Sequence, residues 1–219
     1  GDVILEQIFY SIGGGFVLTD SELATGKIPD TSGPAVPFPF VNATEMLKMA
    51  KASGKSIAEI KRANELVHKS PNQLHQGIAD IWAVMSDCID KGMLETGILP
   101  GGLKVRRRAQ GIHASLLAER GLNLAPPHTI NDWMSLYAMA VNEENAAGGR
   151  VVTAPTNGAA GVMPAVLRYY LDHVPGASSE KIDDYFLTAA AIGGIVKHNA
   201  SISGAECGCQ AEVGSAAAM

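Results

Sequence analysis

The chain has 219 residues, of which 47% are apolar and 18% are charged. This apolar share excludes a disordered polar chain. No uninterrupted apolar run approaches the roughly 20 residues of a membrane-spanning helix, which argues against an integral membrane protein. The net charge of −5 is a poor match to a general nucleic-acid binder, which is normally basic. The 24 glycines favour closely packed helices and turns lined by backbone.

Both ends of the sequence predict a piece of a larger protein. The chain begins Gly1-Asp2-Val3 without an initiator methionine or a signal-peptide pattern. It ends at 214–219 within a strongly helix-forming run that has no stop signal. We therefore expect a fragment whose further residues lie beyond Met219.

The cysteine content indicates a reducing, cytoplasmic setting. There are three cysteines, Cys88, Cys207 and Cys209, and an odd, low number without a secretory signal is typical of intracellular proteins. A disulfide between Cys207 and Cys209 would close a very small, strained loop. Thiol or thiolate roles are therefore expected.

The first forty residues predict strands and a linker. Val3–Leu18 is rich in Ile, Phe, Tyr and Val and is broken by three glycines at 13–15, which predicts two short strands around a glycine turn. Four prolines within 26–40 then predict an extended linker.

From residue 41 the pattern becomes helical. Three cap signatures, at Asn42, Ser56 and Ser70, predict helices over 43–52, 57–69 and 71–94. Further patterns predict a basic helix over 105–119, helices over 130–147, 158–173 and 179–198, an extended run over 150–154 and a helix that opens near Cys209.

Together these elements predict a mainly α fold. We expect a compact multi-helix domain with a few short β-strands near the N-terminus and at 150–154. Residues 1–40 form a strand and linker segment in this interpretation. Residues 41–219 form a helical domain that is truncated at its C-terminus.

The first candidate site is the loop at 199–212, NASISGAECGCQAE. Two cysteines precede a helix start, where backbone amides and the helix dipole favour a thiolate. Such a thiolate could be a nucleophile or a ligand for zinc or an iron–sulfur cluster. The alternative is a cysteine that simply packs at a helix start. Cysteines alone cannot complete a metal site in this chain.

The second and third candidate sites are turns. The segment 142–158, NEENAAGGRVVTAPTNG, brings a short extended run into Thr-Asn-Gly at a helix start, where exposed amides could hold a carboxylate or phosphate. Ordinary capping by Asn157 is the alternative. The segment Ser11–Gly15 could likewise approach an anion through its backbone, or be a plain hairpin turn.

Three weaker signals have default structural interpretations. The run Arg106-Arg107-Arg108 is predicted to be a solvated or subunit-facing charge run, which opposes the helix dipole unless a carboxylate is near. His198 is predicted to be a core or surface histidine. Cys88 lies on an apolar helix face and is predicted to be structural.

Taken together, these segments resemble a known family. The segments 142–158, 199–206 and 208–214 are similar to the α (catalytic) domain of bacterial iron–sulfur L-serine dehydratases, and 10–16 and 88–93 are similar too. The resemblance covers nearly the whole chain.

The resemblance implies a lyase that converts L-serine to pyruvate and ammonia without pyridoxal phosphate, in amino-acid metabolism and gluconeogenesis. It implies a [4Fe-4S] cluster, held by three cysteines in the full-length protein, whose open iron binds the substrate hydroxyl as a Lewis acid. It further implies a β domain or β subunit that these residues lack and that carries a Ser-His-Thr motif. A homo-oligomer is expected.

The resemblance also implies roles for individual residues. Cys209 matches the first cluster ligand, and the other two ligands are expected beyond Met219. Thr156, Asn157 and Gly158 match the turn expected near the substrate. The residues Ser11, Gly13 and Gly14 match a second stretch, expected to bind the serine carboxylate. Cys207 departs from the family pattern and is not assigned as a ligand. No residue is assigned as the catalytic base, and we expect the fragment alone to be inactive.

Two other hypotheses remain at the level of sequence. A pyridoxal-phosphate dehydratase would need a Schiff-base lysine, for which Lys197 is the candidate near the motifs, without a phosphate-binding signature. A non-catalytic helical assembly or regulatory module would make the cysteine loop purely structural.

Overall fold

The computed structural model describes residues 6–13, 16–25, 35–119, 129–200 and 207–219, without the side chains of residues 11–13, 16 and 209. Its elements in chain order are β1 (Phe9–Gly13), β2 (Phe16–Thr19), α1 (Asp20–Thr25), α2 (Ala43–Ser53), α3 (Ile57–Glu65), α4 (Pro71–Leu94), α5 (Ala109–Glu119), α6 (Thr129–Ala146), α7 (Val162–His173), a 3-10 turn (Ser179–Lys181), α8 (Ile182–Asn199) and α9 (Cys209–Ala218). The prediction of a mainly α domain is confirmed.

The N-terminal strands form a small hairpin. Strands β1 and β2 are antiparallel, and Tyr10 pairs with Leu18 in their register. This confirms the prediction of two short strands around the glycines. The predicted strand at 150–154 is wrong, because the segment has no regular secondary structure and pairs with no strand among the described residues. Its apolar residues Val151, Val152 and Ala154 pack against helices instead.

Side-chain caps fix where the first helices begin. Asn42 accepts a hydrogen bond from the backbone of Glu45 at the start of α2. Ser56 and Ser70 each form a complete capping box, and Pro71 occupies the first turn of α4. Helix α3 ends at Glu65 rather than the predicted residue 69, because the chain turns through 66–69 into the Ser70 cap.

Helix α4 is the centre of the domain. One side packs against α5, α6 and α7 around Ile89, Leu136 and Tyr137, which are almost fully buried. The other side packs against α3 and α8 around Ile78 and Leu187. The crossing of α4 and α6 is so close that a Cβ on Gly92 would collide with the backbone of Ala140.

Residues 35–41 are attached to this helical body by hydrogen bonds and by apolar packing. The side chain of Asn64 donates to the carbonyl of Phe38 at 2.8 Å and accepts from its backbone N–H at 2.9 Å. Phe38 and Phe40 then pack beside Met46 and Ile60. The described end of the predicted linker is therefore fixed on α2 and α3.

None of the helices in the described ranges combines the length and the apolar character needed to cross a membrane.

Candidate active site

The predicted Thr-Asn-Gly turn lies between α6 and α7. Its polar side chains bond to one another: the Thr153 hydroxyl donates to Oδ1 of Asn157 at 2.5 Å, and Thr156 Oγ1 accepts from the backbone of Ala159 at 3.3 Å. Asn157 and Gly158 are exposed. The Asn157 side chain therefore accepts through Oδ1, and its amide N–H groups are further donors on an exposed residue.

The turn rests on a tightly packed floor. Ala159 and Ala160 are almost fully buried. A Cβ on Gly161 would lie 2.5 Å from the carbonyl oxygen of Ala138 on α6. Only glycine fits this approach, so the start of α7 is held against α6 and the position of the turn above it is fixed.

Helix α9 brings the end of the first candidate segment, 199–212, to the same place. A Cβ on Gly158 would lie 3.5 Å from Oε2 of Glu212, in the turn of α9 that follows Cys209. The far end of α9 is seated by Ala216, which is buried, and by Met219, which packs near Met163. The structure therefore places the Thr-Asn-Gly turn beside the helix that begins at Cys209, although about fifty residues separate them in sequence.

The three cysteines occupy different environments. Cys88 is buried on α4, as expected for a residue on an apolar helix face, and burial raises the pKa of its thiol to about 11. Cys207 is exposed and unpaired. Cys209 begins α9, and Gly208 before it has a positive φ of 77°.

This cysteine set does not by itself fit an iron–sulfur cluster. Clusters are held by several thiolates, and Cys88 is locked in the core between α4, α5 and α6. Across the described ranges, no three His, Cys, Asp or Glu side chains come together as metal ligands. Any cluster bound through Cys209 needs thiolates from outside these 219 residues.

Sequence reasoning missed a buried carboxylate at the end of α6. Glu144 is almost completely buried and lies 2.7 Å from both Arg107 and Lys91. Burial raises the pKa of Glu144, but hydrogen bonds from Lys91 and Arg107 outweigh this and hold that pKa below its usual value. In the sequence Glu144 lies on the same helix face as Tyr137 and Ala140, but charged side chains are normally exposed, so this spacing alone did not predict its burial.

The contacts of the neighbouring Glu143 differ from the prediction that residues 106–108 begin a helix as a solvated charge run. Its carboxylate accepts from the backbone of Arg108 at 2.7 Å and of Ala109 at 3.3 Å, at the start of α5. The helix begins at Ala109, not 105, because the backbone of 105–107 bonds to the loop before it. Arg107 is only 8% exposed, so the interpretation of a solvated run is wrong for this residue.

The other predicted residues are placed less fully. Ser11 and Gly13 lie in β1, where only the backbone is described. Gly14 is outside the described residues. The loop residues 201–206 are also outside them. His198 is exposed at the end of α8. Asn199, at the entrance to this loop, donates to the carbonyl of Val41 at 2.6 Å.

Comparison with known proteins identifies the family. The family model described as "Serine dehydratase alpha chain" matches residues 52–219. The chain therefore belongs to the serine dehydratase alpha chain family, which confirms the resemblance seen in the motifs.

Individual relatives agree over the whole chain. It is 48% identical to "L-serine dehydratase" of Streptomyces coelicolor and 45% identical to "L-serine dehydratase 1" of Escherichia coli, in each case covering 100% of this chain and 47% of the relative. "L-serine dehydratase" of Helicobacter pylori is 43% identical and is covered to 48%. The chain thus spans about half the length of the curated relatives it matches.

Proposed function

We propose that this chain forms part of an L-serine dehydratase, an enzyme that converts L-serine to pyruvate and ammonia. The observation that carries the proposal is the meeting of the Thr-Asn-Gly turn with the first turns of α9. Both segments belong to the motifs that resemble the family. The identity of 43–48% to proteins named L-serine dehydratase supports the same activity.

The polar groups of the turn suit an amino-acid substrate. L-serine carries a carboxylate and an ammonium group that need partners of opposite charge or dipole. The Asn157 amide is an exposed donor for the carboxylate, while the Glu212 carboxylate beside Gly158 is suited to the ammonium group.

The reaction removes the α-proton and the β-hydroxyl of serine, and the resulting aminoacrylate hydrolyses to pyruvate and ammonia. We propose that Cys209 would be one ligand of a [4Fe-4S] cluster, with the other ligands in the full-length protein beyond Met219. Such a cluster would supply a Lewis acid for the substrate hydroxyl. The described residues supply no assigned base. We also propose a cytoplasmic location, which rests on the cysteine content.

The remaining binding assignments are proposals of the same kind. Ser11, Gly13 and Gly14 are proposed to contribute to carboxylate binding through the hairpin. A second domain or subunit is supported by the length of the relatives, which is about twice that of this chain. A homo-oligomer stays a prediction.

The structure gives no support to a pyridoxal-phosphate enzyme built on Lys197. This lysine is exposed near the end of α8, whereas a Schiff-base lysine lies in a cofactor pocket.

The test uses the full-length protein, prepared without oxygen. We expect it to form pyruvate from L-serine and to lose this activity on exposure to oxygen or an iron chelator. Asn157→Ala should raise KM roughly ten- to hundredfold, since it removes a donor to a charged group. Asn131→Ala, at an exposed position of α6 outside the motif segments, is the matched control. Activity that survives both treatments and is lost in Lys197→Ala would instead support the pyridoxal-phosphate alternative.

A further inference from the structure

The loop between α4 and α5 exposes an unusual amount of apolar surface. Four aliphatic side chains lie within twelve residues of sequence and are largely solvent-accessible: Leu94 at 73%, Ile98 at 60%, Leu103 at 89% and Val105 at 45%. Single exposed apolar residues are ordinary, but several within one short loop are a candidate interaction surface. We call residues 94–105 the apolar loop.

The apolar loop is ordered by its own backbone. Ile98 and Arg106 form an antiparallel bridge. The N–H of Leu99 donates to the Val105 carbonyl at 2.7 Å, and that of Arg107 to the Gly97 carbonyl at 3.0 Å. The tip between these bonds therefore has a defined shape, with Leu103 at its most exposed point.

The base of the loop is anchored to the helical body. Arg107 makes its 2.7 Å ion pair with the buried carboxylate of Glu144, and Glu143 holds the backbone of the next two residues. A loop that is already rigid loses little conformational entropy when it binds. This arrangement is suited to docking.

Positive charge predominates in the apolar loop and just after it, where the one exposed carboxylate is Glu95 at the start of the loop. Lys104, Arg106 and Arg108 are exposed, and their side chains form no ion pair with a carboxylate in the described part of the chain. Two copies of the chain that met through this loop would bring these like charges together. The charge pattern therefore favours a different surface, one whose apolar pocket is bordered by carboxylates.

We propose that the apolar loop docks against the part of the full-length serine dehydratase that lies outside residues 1–219, with Leu103 inserted in an apolar pocket bordered by carboxylates. The relatives are about twice as long as this chain, so a comparable mass of protein is available as the occupant. Within one polypeptide, its effective concentration is high enough for even a modest surface to remain docked. The proposal rests on family membership, and its test does not depend on catalysis.

The test measures thiol labelling in the full-length protein. Leu103→Cys is compared with Leu47→Cys, which replaces a leucine that is 56% exposed on α2. The labelling rate of each new cysteine is divided by its rate in the same protein unfolded in urea. Peptide mass spectrometry separates these sites from the native cysteines. We expect Leu103→Cys to label at least about tenfold more slowly than its unfolded reference, which corresponds to a docked equilibrium constant of about ten. Leu47→Cys should label at close to its unfolded rate.

Two results would overturn the proposal. Labelling of Leu103→Cys at the unfolded rate would show that nothing covers the loop. Protection that disappears on dilution would show that a second copy covers it. As a further expectation, Leu103→Asp should undock the loop and increase the rate of limited proteolysis between residues 1–219 and the rest of the protein. Leu47→Asp should not change this rate. Because none of these measurements uses serine, they can succeed or fail independently of the proposed activity.

Discussion

The carboxylate of Glu144 on α6 lies 2.7 Å from the guanidinium of Arg107, and both side chains are more than nine-tenths buried. This pair joins the end of α6 to the entrance of α5. The backbone carbonyl of Glu144 also accepts from Gly149 at 2.8 Å, and a Cβ on Gly149 would lie 2.7 Å from the Glu144 carboxylate. The pair therefore also fixes the start of the segment that leads to the Thr-Asn-Gly turn.

Removal of this carboxylate should destabilise the domain strongly. Glu144→Ala leaves the guanidinium of Arg107 buried without its partner, and we expect a loss of about 3–5 kcal/mol in the free energy of unfolding. Urea denaturation monitored by circular dichroism measures it. The control is Glu180→Ala, at an exposed position, which should change stability by less than about 0.5 kcal/mol. Equal effects of the two substitutions would show that the buried pair is not important for stability.

The carboxylate of Glu65 should make the free energy of unfolding depend on pH in the acid range. Burial raises the pKa of Glu65, but hydrogen bonds from Lys61 and Lys69 outweigh this effect. They lower the pKa from an ordinary value of 4.5 to about 2. Since the folded pKa is the lower one, the carboxylate stabilises the fold above pH 4.5, and this contribution is lost as the pH falls towards 2.

The corresponding measurement compares the native chain with Glu65→Gln at a series of pH values. The difference in unfolding free energy should be constant at neutral pH and should shrink as the pH falls below 4.5. A difference that stays constant down to pH 2 would contradict the assignment.

Two glycines on α4 should respond oppositely to alanine. A Cβ at Gly92 meets the backbone of Ala140, which cannot move without separating α4 from α6. We expect Gly92→Ala to cost about 1–3 kcal/mol, the usual range for overpacking. At Gly77 on the same helix no atom lies within 4 Å of the added Cβ, so Gly77→Ala should be stabilising by up to about 1 kcal/mol. Thermal melting of both variants checks this pair, and a neutral Gly92→Ala would contradict the close crossing.

The cysteines should differ in reactivity. Burial raises the pKa of the Cys88 thiol to about 11, so both its access and its thiolate fraction are low. Iodoacetamide should therefore leave Cys88 unmodified in the folded protein and modify it after unfolding in urea, as read by peptide mass spectrometry. Exposed Cys207 is the comparison within the same chain. Modification of native Cys88 at the unfolded rate would place it outside the core.

The sequence predicted the fold where local signals decide it. The caps at Ser56 and Ser70 set the starts of α3 and α4, because these hydrogen bonds lie within one helical turn. The strand predicted at 150–154 was wrong, since strand formation depends on a neighbouring edge that no local pattern encodes. The start of α5 was misplaced for a similar reason, because Glu143 caps it from 34 residues away.

The candidate site was partly predictable. The motifs identified Thr156, Asn157, Gly158 and Cys209 as candidates, but only the tertiary fold reveals that Gly158 lies against Glu212. Glu143 and Glu144 were in the same motif, yet their burial could not be read from it, because charged side chains are normally exposed. Their partners come from α4 and from the segment before α5.

Pyruvate formation by the full-length protein is the measurement that tests the central claim most directly. Anaerobically prepared protein should produce pyruvate from L-serine and show the broad visible absorbance of an iron–sulfur cluster. Cys209→Ser should abolish both, whereas Cys88→Ser, in the core, should retain them. A full-length protein that forms no pyruvate under these conditions, or one whose activity and absorbance are unchanged by Cys209→Ser, would contradict the account.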